Sequence, residues 1–126
     1  MGEINRSFFF DTYAIIEIIK QNPNYKDYIK GVGIITTKLN LMELHYNILR
    51  EVSREEADKH FDRLTPFCVN FSDEELKEAN LFKLKNKPKK LSYVDCLGYI
   101  IARKRNIPFL TGDKEFKDFK GVEFVK

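Results

Sequence analysis

Four carboxylates stand where a folded chain could put them to chemical use. Asp11 directly follows the apolar run "SFFF" (Ser7–Phe10), and Asp113 follows "PFL" by three residues. Glu43 lies in "KLNLMELHYNIL", with Leu39 four residues before it, Met42 and Leu44 alongside and Tyr46 three residues after. That apolar arc is wide enough to place Glu43 on or beside a buried helix face. Asp95 sits between Val94 and Cys96 in "SYVDCLGYII", in the first turn of an apolar helix. An ionised carboxylate in such surroundings is costly unless it is paired or ligates a metal.

Each acid also has a plain structural explanation. Asp11 and Asp113 could be helix N-caps. Asp95, three residues after Ser92, could close a capping box. Glu43 has no capping role in mid-helix, and its plain reading is a salt bridge at the rim of the core. As a set the four are more informative. Converging carboxylates repel and raise one another's pKa values unless a positive charge joins them, and a divalent cation supplies that charge. Hard Mg²⁺ or Mn²⁺ prefers such oxygen ligands. His45 and His60 are isolated, and Cys68 and Cys96, in "FCVNF" and "VDCLGY", read as buried free thiols, so no zinc set is present. A metal held by acids can activate water and stabilise phosphate charge, which points to phosphodiester or phosphate chemistry. Nothing resembles a Walker loop, a nucleophile elbow or a dinucleotide fingerprint.

The elements that would carry these acids alternate between strand and helix. Strand patterns fall at "SFFF", at Ile34–Thr36, at "FCVNF" after Pro66, at "IPFL" and at a last edge segment, "VEFV". Helical spacing begins at Asp11, where Ala14, Ile15, Ile18 and Ile19 share a face. A short helix is expected in "NPNYKDYIKG", between Pro23 and Gly31, and a long one from about Lys38 to Glu51. Ser53 with Glu56, and Ser72 with Glu75, read as capping boxes that open two further helices. "SYVD" opens another, running to about Arg105, and "DKEFKDF" a short one. Short apolar strands joined by helices imply an α/β fold, a parallel sheet covered by helices on both faces. In such sheets ligands bind beyond the carboxyl ends of the strands, where Asp11 and Asp113 fall.

The chain of 126 residues is read as one domain, 1–126, with 43% hydrophobic residues for its core. No segment approaches the ~18 apolar residues of a membrane span, and "FFFDTYAIIEII" is interrupted by Asp11 and Glu17. Two unpaired cysteines suit a reducing, cytoplasmic setting. Net charge is only +3, so any affinity for nucleic acid must come from local clustering.

The order and setting of the acids resemble the PIN domain, and most of all the VapC-type toxin ribonucleases. The segments that carry the likeness are "FFFDTYAIIEII" with Asp11 and Thr12, "ITTKLNLMELHYNIL" with Glu43, and "LSYVDCLGYIIARKRNIPFLTGDKEF" with Asp95 and Asp113. The resemblance implies a three-layer α/β/α fold with a short parallel sheet and an endoribonuclease that uses Mg²⁺ or Mn²⁺. Asp11, Glu43, Asp95 and Asp113 would hold the metal, with Thr12 and Thr111 positioning an acidic ligand or the substrate phosphate. It further implies an RNA substrate, a small antitoxin partner and a homodimer. A housekeeping RNA-processing nuclease of the same family is the alternative role.

One run of charge fits that reading. Between Glu78 and Asp95 there is no carboxylate, but there are five lysines, Lys83, Lys85, Lys87, Lys89 and Lys90. They could contact phosphate, or they could be a solvated loop around Pro88. Arg103, Lys104 and Arg105 at a helix C-terminus read as dipole partners. A phosphoacceptor receiver domain fits poorly, because Asp11 is followed by Thr12 and Glu43 lies in a helix. A haloacid-dehalogenase-type phosphatase would need an acid where Tyr13 stands.

Overall fold

A computed structural model describes residues 6–126, so the first five residues of the single-domain reading lie outside it. In chain order the elements are β1 (Arg6–Phe10), α1 (Thr12–Ile19), β2 (Val32–Ile35), α2 (Lys38–Glu51), α3 (Arg54–Leu64), α4 (Asp73–Lys85), α5 (Tyr93–Lys104), β3 (Phe109–Thr111) and β4 (Val122–Phe124). The helix expected after Pro23 is a 3₁₀ segment, Pro23–Tyr28, and shorter 3₁₀ turns span Thr65–Phe67 and Lys114–Phe116.

All strand pairs are parallel, in the order β2-β1-β3-β4. Phe9 lies opposite both Ile35 and Phe109, which makes β1 a central strand. Consecutive residues of a strand face opposite sides. Phe8 and Phe10 therefore enter one core, with Ile15, Leu41, Leu44 and Ile48 from α1 and α2. Phe9 enters the other, with Leu97, Ile101 and Phe109 below α5. A strand buried on both faces must be apolar at every position, which explains "FFF". The result is three layers: helices α1, α2 and α3 on one side of the sheet and α4 and α5 on the other. From β1 the chain crosses to β2 on one side and later to β3 on the other, so the winding reverses between β1 and β3. Asp11 and Asp113 follow the carboxyl ends of those two strands.

The third strand expected at "FCVNF" does not form. Only Cys68 pairs, in a single parallel bridge to Thr36. The partner on β2 ends there because Thr37 already caps α2, and the chain from Cys68 needs only four more residues to reach Ser72, the cap of α4. Two caps leave room for one bridge. The other boundaries agree to within a few residues. The box at Ser72 and Glu75 is complete, whereas at Ser53 only the serine half is made.

Helix α5 ends in a Schellman motif. Ile107 N–H donates to Ala102 O and Asn106 N–H to Arg103 O, with Asn106 at φ 55°. That turn sends the chain back along the sheet as β3. At the centre of α5, Gly98 lets the helix lie directly on the aromatic pair Phe9 and Phe109, which stack at 5.7 Å. A Cβ at residue 98 would fall 2.6 Å from Phe9 Cε1 and 3.2 Å from Phe109 Cε1. Both rings are fully buried and have nowhere to move. Gly98→Ala is expected to lower stability by about 1–2 kcal/mol in denaturant unfolding, overpacking outweighing the better helix propensity. A neutral or stabilising result would show that α5 can lift off the sheet.

Candidate active site

Asp11 begins the site. It ends the central strand, caps α1 and is only 2% exposed. Its Oδ1 accepts the Thr12 amide at 2.9 Å and its Oδ2 accepts Thr111 Oγ1 at 2.7 Å. Thr111 is the last residue of β3, the neighbouring strand, so the bond ties the two strand ends at the point where the winding reverses. Thr111 Oγ1 also accepts the Asp113 amide at 3.1 Å, which holds the fourth acid next to the first.

A second threonine extends the chain of bonds to α2. Thr12 Oγ1 donates to Glu43 Oε1 at 2.7 Å and accepts Asn40 Nδ2 at 3.1 Å. Asn40 is completely buried and its Oδ1 takes the hydroxyl of Thr37, the cap of α2. Glu43 lies at the edge of the helix's buried face, which is Leu41, Leu44 and Ile48, while Met42 and Tyr46 point to solvent. The apolar arc inferred from the sequence is therefore narrower, and Glu43 is half-buried.

Asp95 arrives from the opposite layer on the first turn of α5. It closes the capping box, its Oδ2 accepting the Ser92 amide at 3.0 Å while Ser92 Oγ accepts the Asp95 amide. Asp113 likewise caps the turn Lys114–Phe116 by accepting the Glu115 amide. Capping and convergence are thus properties of the same side chains. A carboxylate has two oxygens and about four acceptor positions, so a cap leaves capacity over. Glu43 Oε2, Asp95 Oδ1 and Asp113 Oδ2 accept no hydrogen bond among the described residues.

The acids sense one another. Burial raises the pKa of Asp11 well above the carboxylate range, and the charges of Asp95 and Glu43 add to this against the bonds from Thr111 and Thr12. Burial likewise raises Glu43, with Asp95 adding. Asp95 is raised by burial and by Asp113, against the Ser92 bonds and the nearby Lys83. The plain alternative for Glu43, a salt bridge, is not made: among the described residues none of the four acids pairs with Lys, Arg or His. Nor do any three acidic, histidine or cysteine side chains there form a ready-made ligand cluster. The donor set still has the chemistry of a hard-cation site, being all oxygen, partly desolvated and without a direct ion pair among the described residues.

Thr12 and Thr111 both hydrogen-bond acids, Thr12 to Glu43 and Thr111 to Asp11. The lysines divide. Lys83 donates to the Leu91 carbonyl and lies 5.0 Å over the Tyr93 ring, and Lys89 lies 5.4 Å over Phe119. Lys85, in the last turn of α4, and Lys87 and Lys90 beyond it are exposed. Sequence reasoning missed Asn40 and Thr37. The available signal was spacing, since Asn40 stands one helical turn before Glu43 on the same face.

A parallel α/β sheet whose winding reverses between β1 and β3, with Asp11 and Asp113 linked through Thr111 at that point, defines the class of domain. The family model of the PIN domain matches residues 8–122, and the chain belongs to that family. Solved structures agree in fold. VapC20 of Mycobacterium tuberculosis, described as a Sarcin-Ricin loop cleaving toxin, superposes with a TM-score of 0.76 at 17% identity, covering 94% of this chain and 99% of that one. A toxin-antitoxin complex from Klebsiella pneumoniae gives 0.71 at 16% identity, covering 91% and 94%. VapBC2 of Rickettsia felis, bound to a promoter DNA fragment, gives 0.70 at 18% identity, covering 95% and 99%. No curated protein matches the chain in sequence.

Two substitutions separate charge from scaffold. Thr111→Val removes the donor to a buried carboxylate and should lower stability by about 1.5–3 kcal/mol. Asp95→Asn keeps an oxygen for the Ser92 amide and removes one repelling charge, so its melting temperature should equal or exceed that of the unmodified chain. A fall of several degrees in Asp95→Asn would mean that the charge serves the cap and that repulsion is negligible.

Proposed function

We propose that this protein is a divalent-metal-dependent endoribonuclease, the toxin of a toxin–antitoxin pair. The observation that carries the reading is the chain of threonine hydrogen bonds that links Asp11, Glu43 and Asp113 at the carboxyl edge of a PIN-domain sheet, with Asp95 on the first turn of α5. Asp11, Glu43, Asp95 and Asp113 would hold Mg²⁺ or Mn²⁺, whose all-oxygen preference they match. When bound, such an ion supplies an acidified water and neutralises phosphate charge during in-line displacement.

The protein's own residues orient and exclude. Thr111 and the Thr12 amide hold both oxygens of Asp11, fixing its plane. Thr12, itself held by Asn40, aims Glu43 so that Oε2 is the oxygen left over. The Ser92 box does the same for Asp95 and leaves Oδ1. These unengaged oxygens can ligate or accept a proton from the attacking water. Phosphodiester hydrolysis then breaks the P–O bond on the 3′-oxygen side, leaving a 5′-phosphate and a 3′-hydroxyl. Toxin–antitoxin complexes among the solved structures of the same fold support an antitoxin partner. The reading also includes a homodimer, a cytoplasmic setting and RNA contacts from Lys83, Lys85, Lys87, Lys89 and Lys90. Among the described residues no helix is long and apolar enough to cross a membrane.

Purified protein should cleave RNA with Mg²⁺ or Mn²⁺, lose that activity in EDTA, and lose it by at least about a hundredfold in Asp95→Asn while remaining folded. Absence of cleavage with either ion, across substrates and conditions, would overturn the enzymatic reading.

A further inference from the structure

Between the end of α4, the loop that follows it and the start of α5, the chain forms an open cleft of about 470 Å³. Asn80, Lys83, Leu84, Lys87, Lys89 and Tyr93 line it, and no acid does. Tyr93 is 70% exposed, the most exposed of the large apolar and aromatic side chains among the described residues. Tyr25, Tyr28 and Tyr99 each donate a hydroxyl hydrogen bond into the fold, whereas among the described residues the Tyr93 hydroxyl makes none. The ring is nevertheless held in place. Lys83 lies over it at 5.0 Å while donating to the Leu91 carbonyl, and the Ser92–Asp95 box fixes the turn from which it projects.

A fixed, exposed aromatic ring among lysines has the makings of a single-strand platform: the ring offers a face to a base, and the ammonium groups meet the backbone phosphates. We propose that Tyr93 stacks an unpaired base of the RNA substrate, with Lys83, Lys87 and Lys89 clamping the adjoining phosphates, so that the cleft delivers single-stranded RNA to the acids. Tyr93 and Asp95 share one helical turn, two positions and about 200° apart around the axis. In this proposal the strand passes over the N-terminal turn of α5, from the ring on one face to Asp95 on the opposite face. Bases in a duplex are stacked on both faces, so the platform selects against paired RNA. Lys83 ties the cleft to the turn that holds Asp95, because its ammonium donates to the carbonyl of Leu91, one residue before the Ser92 cap.

The proposal deepens the ribonuclease reading, and it is testable without cleavage. Fluorescence anisotropy in EDTA would compare a labelled oligouridylate with a blunt RNA duplex of equal length. Tyr93→Ala should weaken oligouridylate binding about tenfold or more, Tyr93→Phe should retain it, and duplex binding should be unchanged in both. Replacing Lys87 and Lys89 with Ser should reduce the salt slope for the single strand by about 1.4. In cleavage assays with metal, Tyr93→Ala should raise KM far more than it lowers kcat. Equal oligouridylate affinity in Tyr93→Ala and the unmodified protein would overturn the platform even if acid-dependent cleavage is intact. Tyr93-dependent binding without cleavage would retain the platform and remove the nuclease reading instead.

Discussion

A carboxylate sealed between two parallel strands has lost its water and must be compensated by the protein. Asp11 is compensated by hydroxyl and amide donors rather than by a cation: Thr111 from the neighbouring strand and the amide of Thr12. Much else follows from that arrangement. The Thr111 bond draws the ends of β1 and β3 together, and its hydroxyl then orients Asp113. Thr12, fixed at the start of α1, reaches to Glu43 on α2. Two threonine hydroxyls thus connect three acids on three segments. Each neutral donor helps to hold a charge in place without cancelling it.

Asp95 approaches from the other layer, on a helix whose closeness to the sheet depends on Gly98. Because α5 lies against Phe9 and Phe109, its first turn is carried to the edge where Asp11 stands. The capping box then fixes the side chain. The aromatic packing under α5 therefore sets how near Asp95 comes to that edge. The uncompensated repulsion is a cost to the fold that a bound cation would offset.

Much of this was legible in the sequence. "FFF" announced a strand buried on both faces, and the acids after strands and in first turns marked one edge of the sheet. Capping was read there as a rival to a functional role, but the structure has the caps at Asp11, Asp95 and Asp113 while burial and mutual charge raise Asp11 and Asp95 together. "FCVNF" misled because strand propensity is local whereas pairing needs a partner. Thr37 turns β2 into α2 before more than one bridge can form. Asn40 was invisible for a related reason: an amide in a helix looks like surface until Thr12 and Thr37 are known to meet it. The lysine run read as uniform charge, but Lys83 is anchored over Tyr93 while Lys85, Lys87, Lys89 and Lys90 are exposed.

The central claim is that the four acids act together as one hard-cation site, and calorimetric titration of Mn²⁺ tests it most directly. The unmodified protein should bind Mn²⁺ saturably, and Asp11→Asn, Glu43→Gln, Asp95→Asn and Asp113→Asn should each weaken binding by about tenfold or more while staying folded. Binding that is absent, or that is equally strong in all four variants, would contradict a shared site and leave Asp11, Asp95 and Asp113 as separate caps.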